Sequence, residues 1–434
     1  MDSILIKGAT VIDPATNLEE TRDVRVAGGN IQALDKAVEA RSGELVVKAD
    51  GLWLCPGFID LHTHLRDMGQ KDKEDLDTGT RAAAAGGFTT VVAMANTDPP
   101  IDNGTTFQIL LNRIEEKAHI EVLPVATVTK GLQGAELTNM VELSDLGAIA
   151  FSDDGQCISN LAVLRRALEY ARMTGRTVIS HPEDKELSAG GCIQEGVKAT
   201  AYGIKGIPSA SETAAIAREI EIVRITHAPY HFTHVSCAAS VELIRRAKKD
   251  GLPITADVTP HHLTLSVDEI DPFDSHYKMK PPLRLEEDKA ALVQGLQDGT
   301  IDAIATDHAP DTRLEKVTTI DDAAVGIIGL ETAFPLCYEK LVARGALNKM
   351  QLISLFTTKP AQVLGLPTPS IEVGNVANLT LVDPGFRWVY DPRSGHSRGR
   401  NSPFGGRLMT GKSVLTIYRG KVVYRDDAYL SSRN

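Results

Sequence analysis

The strongest constraint on the fold is a regular alternation, beginning after Pro56, of short apolar runs with segments of helical periodicity. Apolar residues recur at three- and four-residue spacing in segments such as 161–174 and 240–249, which predicts helices that bury one face. Strand-like runs that alternate with such helices predict βαβ units and a parallel sheet. Eight such runs favour an α/β fold, a closed (β/α)8 TIM-type barrel. The runs are residues 58–64, 89–95, 122–128, 148–153, 177–180, 231–236, 254–258 and 303–307.

The two ends of the chain differ from this pattern and consist of short β-rich pieces separated by turns. A length of 434 residues accommodates one barrel of about 250 residues and a smaller unit. Because domain termini usually lie near each other at the surface, we expect the two ends to pair. We therefore predict that residues 1–55 and 367–434 form one small β domain and that residues 56–366 form the barrel.

Charge and cysteine content narrow the class of protein. Lys and Arg total 46 against 57 Asp and Glu, so the formal net charge is −11. Such a chain, without a basic run, is not expected to bind nucleic acid or an anionic membrane. The five cysteines are widely spaced, and none lies in a CxxC motif, which is typical of a reducing compartment. The N-terminus lacks the order of a signal peptide, so we predict a cytoplasmic protein.

Histidine and aspartate residues end several of the predicted strands, which is where active residues of a barrel cluster. His62 and His64 are two residues apart on the first strand and therefore point to the same side. Four His and two Asp at one barrel mouth are hard to explain structurally, because packed carboxylates repel each other unless cations neutralise them. Nitrogen and oxygen ligands of this mix suit Zn²⁺ or a similar ion. The candidate ligands are His62, His64, Asp154 (or Asp153), His181, His234 and Asp307.

Several motifs, in this order along nearly the whole chain, resemble the amidohydrolase superfamily and specifically the class I, or bacterial-type, dihydroorotases. The motifs are PGFIDLHTHLRD, AAAAGGFTTVVAMANT, FSDDG, HFTHVS, VTPHHL, PPLR, GTIDAIATDHAP and GLETAFP. The resemblance implies two Zn²⁺ ions per subunit, with a single ion as the alternative. It also implies reversible, metal-dependent closure of N-carbamoyl-L-aspartate to dihydroorotate and water in de novo pyrimidine synthesis.

The resemblance also implies roles for the ligand residues. The more buried metal would be held by His62, His64 and Asp307, and the second metal by His181 and His234. Asp154 would bridge both metals, with Asp153 as the less favoured choice. Related cyclic-amide hydrolases bridge their metals with a carboxylated lysine, but residues 147–155 contain none, which favours the Asp-bridged type. Asp307 would act as the catalytic base and pass its proton to the leaving nitrogen.

Substrate contacts are likewise expected from the resemblance. Arg66 and Asn96 match positions that bind the substrate carboxylate, and Gly326 matches a loop that reaches the substrate ring, with Val325 replacing the usual Phe. Two departures stand out, since Lys280 replaces an Asn and Asp311 replaces a His, both of which face substrate in the family. An isolated Asp311 would repel the substrate carboxylate. We therefore predict that Lys280 and Asp311 form a compensating ion pair; the alternative is that Asp311 turns away.

Two other interpretations remain open from the sequence. One is a hydrolase of another cyclic amide or ureide, similar to hydantoinase or allantoinase, which Lys280 and Asp311 motivate. The other is a non-catalytic dihydroorotase-like partner of aspartate transcarbamoylase, although such proteins usually lose the ligands that are present here. A small-molecule substrate is expected in either enzyme case. The resemblance also leaves open a homodimer and an association with aspartate transcarbamoylase.

Overall fold

A computed structural model of the chain describes residues 3–432, so the first two and last two positions of the predicted spans lie outside the described residues. The first strands are β1 (Ser3–Asp13), β2 (Leu18–Ala27), β3 (Asn30–Asp35), β4 (Leu45–Lys48) and β5 (Trp53–Pro56). The next strands are β6 (Phe58–Thr63), β7 (Phe88–Ala93), β8 (Glu121–Pro124), β9 (Ala150–Phe151), β10 (Thr177–Ser180), β11 (Ile193–Gln194), β12 (Gly206–Ile207), β13 (Tyr230–Phe232), β14 (Ile254–Val258) and β15 (Ala303–Ile304). The last are β16 (Leu379–Val389), β17 (Leu408–Tyr418) and β18 (Lys421–Arg425).

Helices follow most of the central strands. They are α1 (Leu76–Gly86), α2 (Gly104–Lys117), α3 (Met140–Asp145), α4 (Leu161–Thr174), α5 (Lys185–Ser188), α6 (Val197–Tyr202), α7 (Ala210–Thr226), α8 (Ala238–Lys249), α9 (Pro260–Thr264), α10 (Glu286–Asp298), α11 (Arg313–Lys316), α12 (Ala333–Cys337), α13 (Lys349–Phe356), α14 (Thr358–Leu364) and α15 (Asp427–Ser431). Within residues 3–432, no helix combines the length and apolar character needed to cross a bilayer.

Helix α4 shows why the local sequence is helical. The Asn160 side chain accepts hydrogen bonds from the amides of Ala162 and Val163, which satisfies two of the free donors at the helix start. The buried face repeats at three- and four-residue spacing, and Gly175 ends the helix in a left-handed conformation at φ 69°. The predicted helix over 161–174 is therefore confirmed with the same bounds, and α8 contains the predicted segment 240–249.

The central strands pair in parallel around a ring. Strands β6-β7-β8 form one sheet, and β9-β10-β13-β14-β15 form another. A parallel bridge between Ala126 and Phe151 connects β8 to β9, and another between Thr63 and His308 connects the end of β15 to β6. The pairing therefore returns to its starting strand, which places the carboxyl ends of all eight strands at one mouth.

Six of the eight predicted strands end earlier than expected, and only those at 177–180 and 254–258 keep their predicted last residue. Strand β9 has only two residues, and soon after it the Asp153 carboxylate accepts hydrogen bonds from the backbone amides of Val128 and Thr129. His234 and Asp307 follow β13 and β15 with positive φ values of 42° and 46°. Such left-handed residues leave the extended geometry of a strand, so they turn the chain at the carboxyl ends of the strands.

The two ends of the chain pair in one separate sheet. Its strand order is β18-β17-β16-β5-β1-β2-β3, with β4 on β1, so it combines strands from both ends. Its core contains Ile6, Leu54, Leu381 and Ile417, all at most 1% exposed. Strands β16 and β17 each span 11 residues. The connection between them, residues 390–407, contacts the loop after β15 through Asn401.

Candidate metal centre

All six predicted ligands are buried and gather at the mouth of the strand ring. The first group joins His62 and His64 of the β6 end to Asp307 after β15. The Nε2 atoms of the two histidines are 3.2 Å apart, and Asp307 Oδ1 lies 3.4 Å from His62 Nε2 and 3.2 Å from His64 Nε2. Metal–ligand bonds of about 2.0–2.1 Å in a tetrahedral arrangement place neighbouring ligand atoms about 3.3 Å apart. The three side chains therefore have the spacing of ligands to one ion.

The second group lies beside the first and shares Asp154. His181 Nδ1 and His234 Nε2 are 2.8 Å apart, and they lie 3.6 Å and 4.0 Å from Asp154 Oδ1. The same oxygen is 3.6 Å from His62 Nε2, and Asp154 Oδ2 is 3.5 Å from His64 Nε2. Asp154 thus faces both groups, as a bridging carboxylate must.

The carboxylate of Asp153, the alternative bridging residue, is hydrogen-bonded to a neighbouring loop. Its carboxylate accepts hydrogen bonds from the backbone amides of Val128 and Thr129 at 2.8 and 3.0 Å, and from the hydroxyl of Thr129. By contrast, Asp154 Oδ1 is buried without a hydrogen-bond partner. An unpaired buried oxygen is costly unless a cation or donor meets it, so the geometry favours Asp154 as the ligand.

The hydrogen-bond network fixes which imidazole nitrogens are free to bind an ion. His62 Nδ1 donates to the Thr233 hydroxyl (2.8 Å), because that hydroxyl itself donates to Asp257 (3.0 Å). His64 Nδ1 faces the amide oxygen of Asn96 at 3.0 Å. In both rings the Nε2 lone pair is therefore left to point at the shared centre, the arrangement that orients metal-binding histidines.

The electrostatics of the six predicted ligands favours a positive charge between them. Burial lowers the pKa of His62, but the charges of Asp154 and Asp307 more than reverse this and raise the pKa to about 9. Burial raises the pKa of Asp154, yet His62, His64 and His181 hold it well below the ordinary value. The Asp154 carboxylate therefore stays ionised beside the imidazoles, and the set of nitrogen and oxygen donors fits a divalent cation of the zinc type.

Two of the orienting residues were missed by sequence reasoning. Thr233 and Asp257 lie at the ends of β13 and β14, and Asp257 Oδ1 also accepts the backbone amide of His234 at 2.6 Å. This bond supports the left-handed conformation of His234. The signal available in the sequence was a polar residue at a strand end, Asp257 in ITADV, which lies beside the more conspicuous histidines.

Asn96 is engaged with the predicted ligands rather than left free for substrate. Its amide oxygen faces His64 Nδ1, and its amide nitrogen donates to Asp154 Oδ2 at 3.0 Å. One side chain therefore orients a ligand from each edge of the centre. Asn96 also lines the cavity, beside His64 and Asp154.

A cavity of about 400 Å³ is lined by five of the six predicted ligands, all except His62. Arg66, Glu183, Lys280 and Val325 contribute to its walls, so three of the predicted substrate-binding residues line it together with Asn96. Arg66 is held in a left-handed conformation at φ 53°, and its Nε donates to the Pro310 carbonyl at 3.4 Å. Left-handed non-glycine residues cluster at functional sites, where the surrounding structure enforces them.

The predicted ion pair between Lys280 and Asp311 is wrong. Lys280 Nζ donates to Glu183 Oε1 at 2.9 Å, and Asp311 accepts from Lys73 Nζ at 3.2 Å. Asp311 lies beneath the cavity wall, where its Oδ2 would be 2.9 Å from a Cβ on Gly326. Each charge is therefore paired by a different loop, since Glu183 follows β10 and Lys73 follows β6.

Removal of bound cations is expected to destabilise the protein. A cation that binds only the folded state stabilises it by about 2.7 kcal/mol at a hundredfold excess over its Kd. We expect a chelator to lower Tm in calorimetry and Zn²⁺ to restore it. The Asp154→Ala protein should show a smaller shift, and an unchanged Tm of the wild-type protein after chelation would contradict cation binding.

Comparison with known proteins adds independent information. A family model described as Dihydro-orotase-like matches residues 51–240. The chain is 44% identical over 425 residues to the dihydroorotase of Geotalea daltonii, across 98% of this chain and 100% of that protein. It is 45% identical over 423 residues to the dihydroorotase of Pelotomaculum thermopropionicum, across 98% and 99%. The L-hydantoinase (dihydropyrimidinase) from Arthrobacter aurescens superposes with a TM-score of 0.87 over 98% of this chain and 96% of that one, and its 24% identity shows a shared fold alone.

Proposed function

The chain belongs to the dihydroorotase family, and from that premise we propose that it catalyses the reversible, metal-dependent closure of N-carbamoyl-L-aspartate to dihydroorotate. The observation that carries the proposal is Asp154 between two groups of histidines, with Asp307 beside the first group. The ring of eight parallel strands supports a (β/α)8 TIM-type barrel over residues 56–366. The separate sheet supports a small β domain from residues 1–55 and 367–434.

Two Zn²⁺ ions are proposed, one held by His62, His64 and Asp307 and one by His181 and His234, with Asp154 shared. When bound, such ions polarise an amide carbonyl and lower the pKa of water towards about 7. In hydrolysis, the water oxygen adds to the ring carbonyl carbon and Asp307 takes the proton. The ring C–N bond then breaks and Asp307 returns the proton to the leaving nitrogen. Ring closure reverses these steps.

Arg66 supplies the charge for the substrate carboxylate in this proposal. A guanidinium can donate two parallel hydrogen bonds to a carboxylate, whereas an ammonium acts as a point charge. Its position in the cavity wall, next to the loop after β15, allows it to reach a bound ring. The cavity therefore combines a hydrolytic end and an anion-binding wall.

Replacement of Arg66 by lysine is expected to raise KM for dihydroorotate by about 10–100-fold, because a charge-assisted hydrogen bond contributes about 1.5–3 kcal/mol. The kcat at saturation should change much less. Steady-state kinetics with the purified variant measures both. An exposed pair offers a matched control, since Arg165→Lys, where Arg165 bonds Glu169 on α4, should leave KM unchanged. An unaltered KM in Arg66→Lys would remove Arg66 from the substrate site.

The deciding experiment for the function combines metal analysis with turnover of dihydroorotate, hydantoin and allantoin on one preparation. We expect bound zinc and the highest kcat/KM for dihydroorotate. A higher value for hydantoin or allantoin would favour the other cyclic-amide hydrolases. Absence of both metal and turnover would favour a non-catalytic partner of aspartate transcarbamoylase. Sedimentation of the chain alone tests the predicted homodimer, and sedimentation of a mixture with aspartate transcarbamoylase tests the predicted association. A cytoplasmic location is also part of the proposal.

A further inference from the structure

The connection between β16 and β17 leaves the small sheet and reaches the barrel mouth. Its middle, residues 397–401, is here called the crossing segment. Asn401 in this segment is 2% exposed, although the surrounding sequence, SRGRNSPFGG, is rich in polar and small residues. A polar side chain buried to this extent in a loop must have partners that justify it.

The Asn401 side chain joins two loops of the barrel. Its Nδ2 donates to the carbonyls of Ala309 (2.8 Å) and Gly326 (3.0 Å), and its Oδ1 accepts from the amide of Asp311 (3.0 Å). Its own backbone carbonyl accepts from the amide of Ile328 at 3.0 Å. Both amide hydrogens and the acceptor are thus used, and every partner belongs to loop 309–311 or loop 326–328.

These two loops adjoin residues that line the cavity. Ala309 lies two residues after Asp307, and Gly326 follows Val325; both Asp307 and Val325 line the cavity. The loops are in close contact, because a Cβ at Gly326 would lie 2.4 Å from the Ala309 carbonyl oxygen. A change in the separation of the loops would therefore displace Val325 and Asp307, the cavity-lining residues next to them.

The crossing segment has a second anchor on the same side of the centre. The backbone amide of Arg398 donates to Glu74 Oε1 at 3.0 Å, and the Ser397 hydroxyl donates to the same carboxylate. Glu74 Oε2 in turn lies 3.3 Å from Nε2 of His308, the neighbour of Asp307. The crossing segment is therefore held at one end by Glu74 and at the other end by loops 309–311 and 326–328.

We propose that Asn401 is a positioning residue of the substrate site, through which the small sheet sets the separation of loops 309–311 and 326–328. The inference rests on the proposed function, because that function makes the cavity beside these loops the substrate site. An amide is the side chain that offers two donors and one acceptor in one plane. Aspartate would keep the acceptor but would place an oxygen against two carbonyl oxygens, and alanine would leave all three loop groups unpaired.

The test compares Asn401→Ala and Asn401→Asp with the wild-type protein. We expect KM for both N-carbamoyl-L-aspartate and dihydroorotate to rise about tenfold or more, the effect of losing at least one buried hydrogen bond. The kcat and the zinc content should stay close to wild type, because no ligand contacts Asn401. Asn401→Asp keeps the size of the side chain and decides the question if the alanine variant does not fold.

A matched control separates positioning from general stability. Asn348 is exposed and caps α13 by accepting a hydrogen bond from the amide of Gln351 at 2.8 Å. This bond involves neither loop 309–311 nor loop 326–328. Asn348→Ala should lower Tm without changing KM. An Asn401 variant with unchanged KM, or with lost zinc and reduced kcat alone, would overturn the inference.

A double-mutant cycle with Gly326→Ala tests the mechanism itself. The added Cβ should spread the same two loops from the other side and raise KM. If Asn401 acts by setting their separation, the double variant should show a smaller rise in KM than the product of the two single effects. Multiplicative effects would contradict the inference. A wild-type protein that turns over no dihydroorotate would instead refute the proposed function.

Discussion

Asp307→Asn is expected to reduce kcat for dihydroorotate hydrolysis by at least about 10²–10⁴-fold, the range found for acid–base groups. Asparagine keeps the size and one oxygen near His62 Nε2 and His64 Nε2, which lie 3.4 and 3.2 Å from Asp307 Oδ1. It cannot accept and return a proton, so the step at the leaving nitrogen loses its carrier. Part of the bound zinc should be retained, because five other ligands are unchanged.

The measurement is single-turnover or steady-state kinetics at saturating substrate, with metal content determined on the same sample. Asp298→Asn serves as the control, since Asp298 pairs with Arg245 on the barrel exterior and its removal should leave kcat unchanged. A near wild-type kcat in Asp307→Asn would show that Asp307 has only a structural or ligand role. Complete loss of zinc would leave the ligand role as the explanation of the lost activity.

Asp154→Ala is expected to abolish activity and to weaken zinc binding by more than about 100-fold. Even mutation of a residue that only hydrogen-bonds to a metal ligand typically lowers metal affinity or activity about 10–100-fold. Its carboxylate faces four histidines, and its Oδ1 has no other partner. Without it, two cations would lose their shared anion and would repel each other.

Asp153→Ala is the neighbouring comparison and should have the opposite profile. Its loss leaves the buried amides of Val128 and Thr129 unpaired, at about 1–3 kcal/mol each, so Tm should fall. The folded fraction should still bind zinc and turn over substrate. Zinc titration, calorimetry and activity on both variants give the ranking, and the reverse ranking would overturn the choice of Asp154 as the bridge.

The sequence by itself determined the order of the central parallel strands. It also determined that the candidate site lies at their carboxyl ends. Apolar runs that alternate with helical periodicity require buried parallel strands, and parallel strands bring their carboxyl ends to one side. Residues such as His62, His181 and Asp307 therefore had to converge, whatever the loops did. Helix α4 was predictable to its last residue for a similar reason, because its cap, its apolar face and its terminal glycine are all local signals.

The tertiary structure alone decided the partners of the charged and amide side chains around that centre. Lys280 pairs with Glu183, 97 residues away, and Asp311 pairs with Lys73, 238 residues away. Neither the use of Asn96 between His64 and Asp154 nor the reach of Asn401 into the barrel mouth has a periodic signal. A hydrogen bond or ion pair depends on atoms meeting within about 3 Å, which is set by how separate loops pack together. Periodicity fixes which face of an element is buried, and packing between elements then selects the partner.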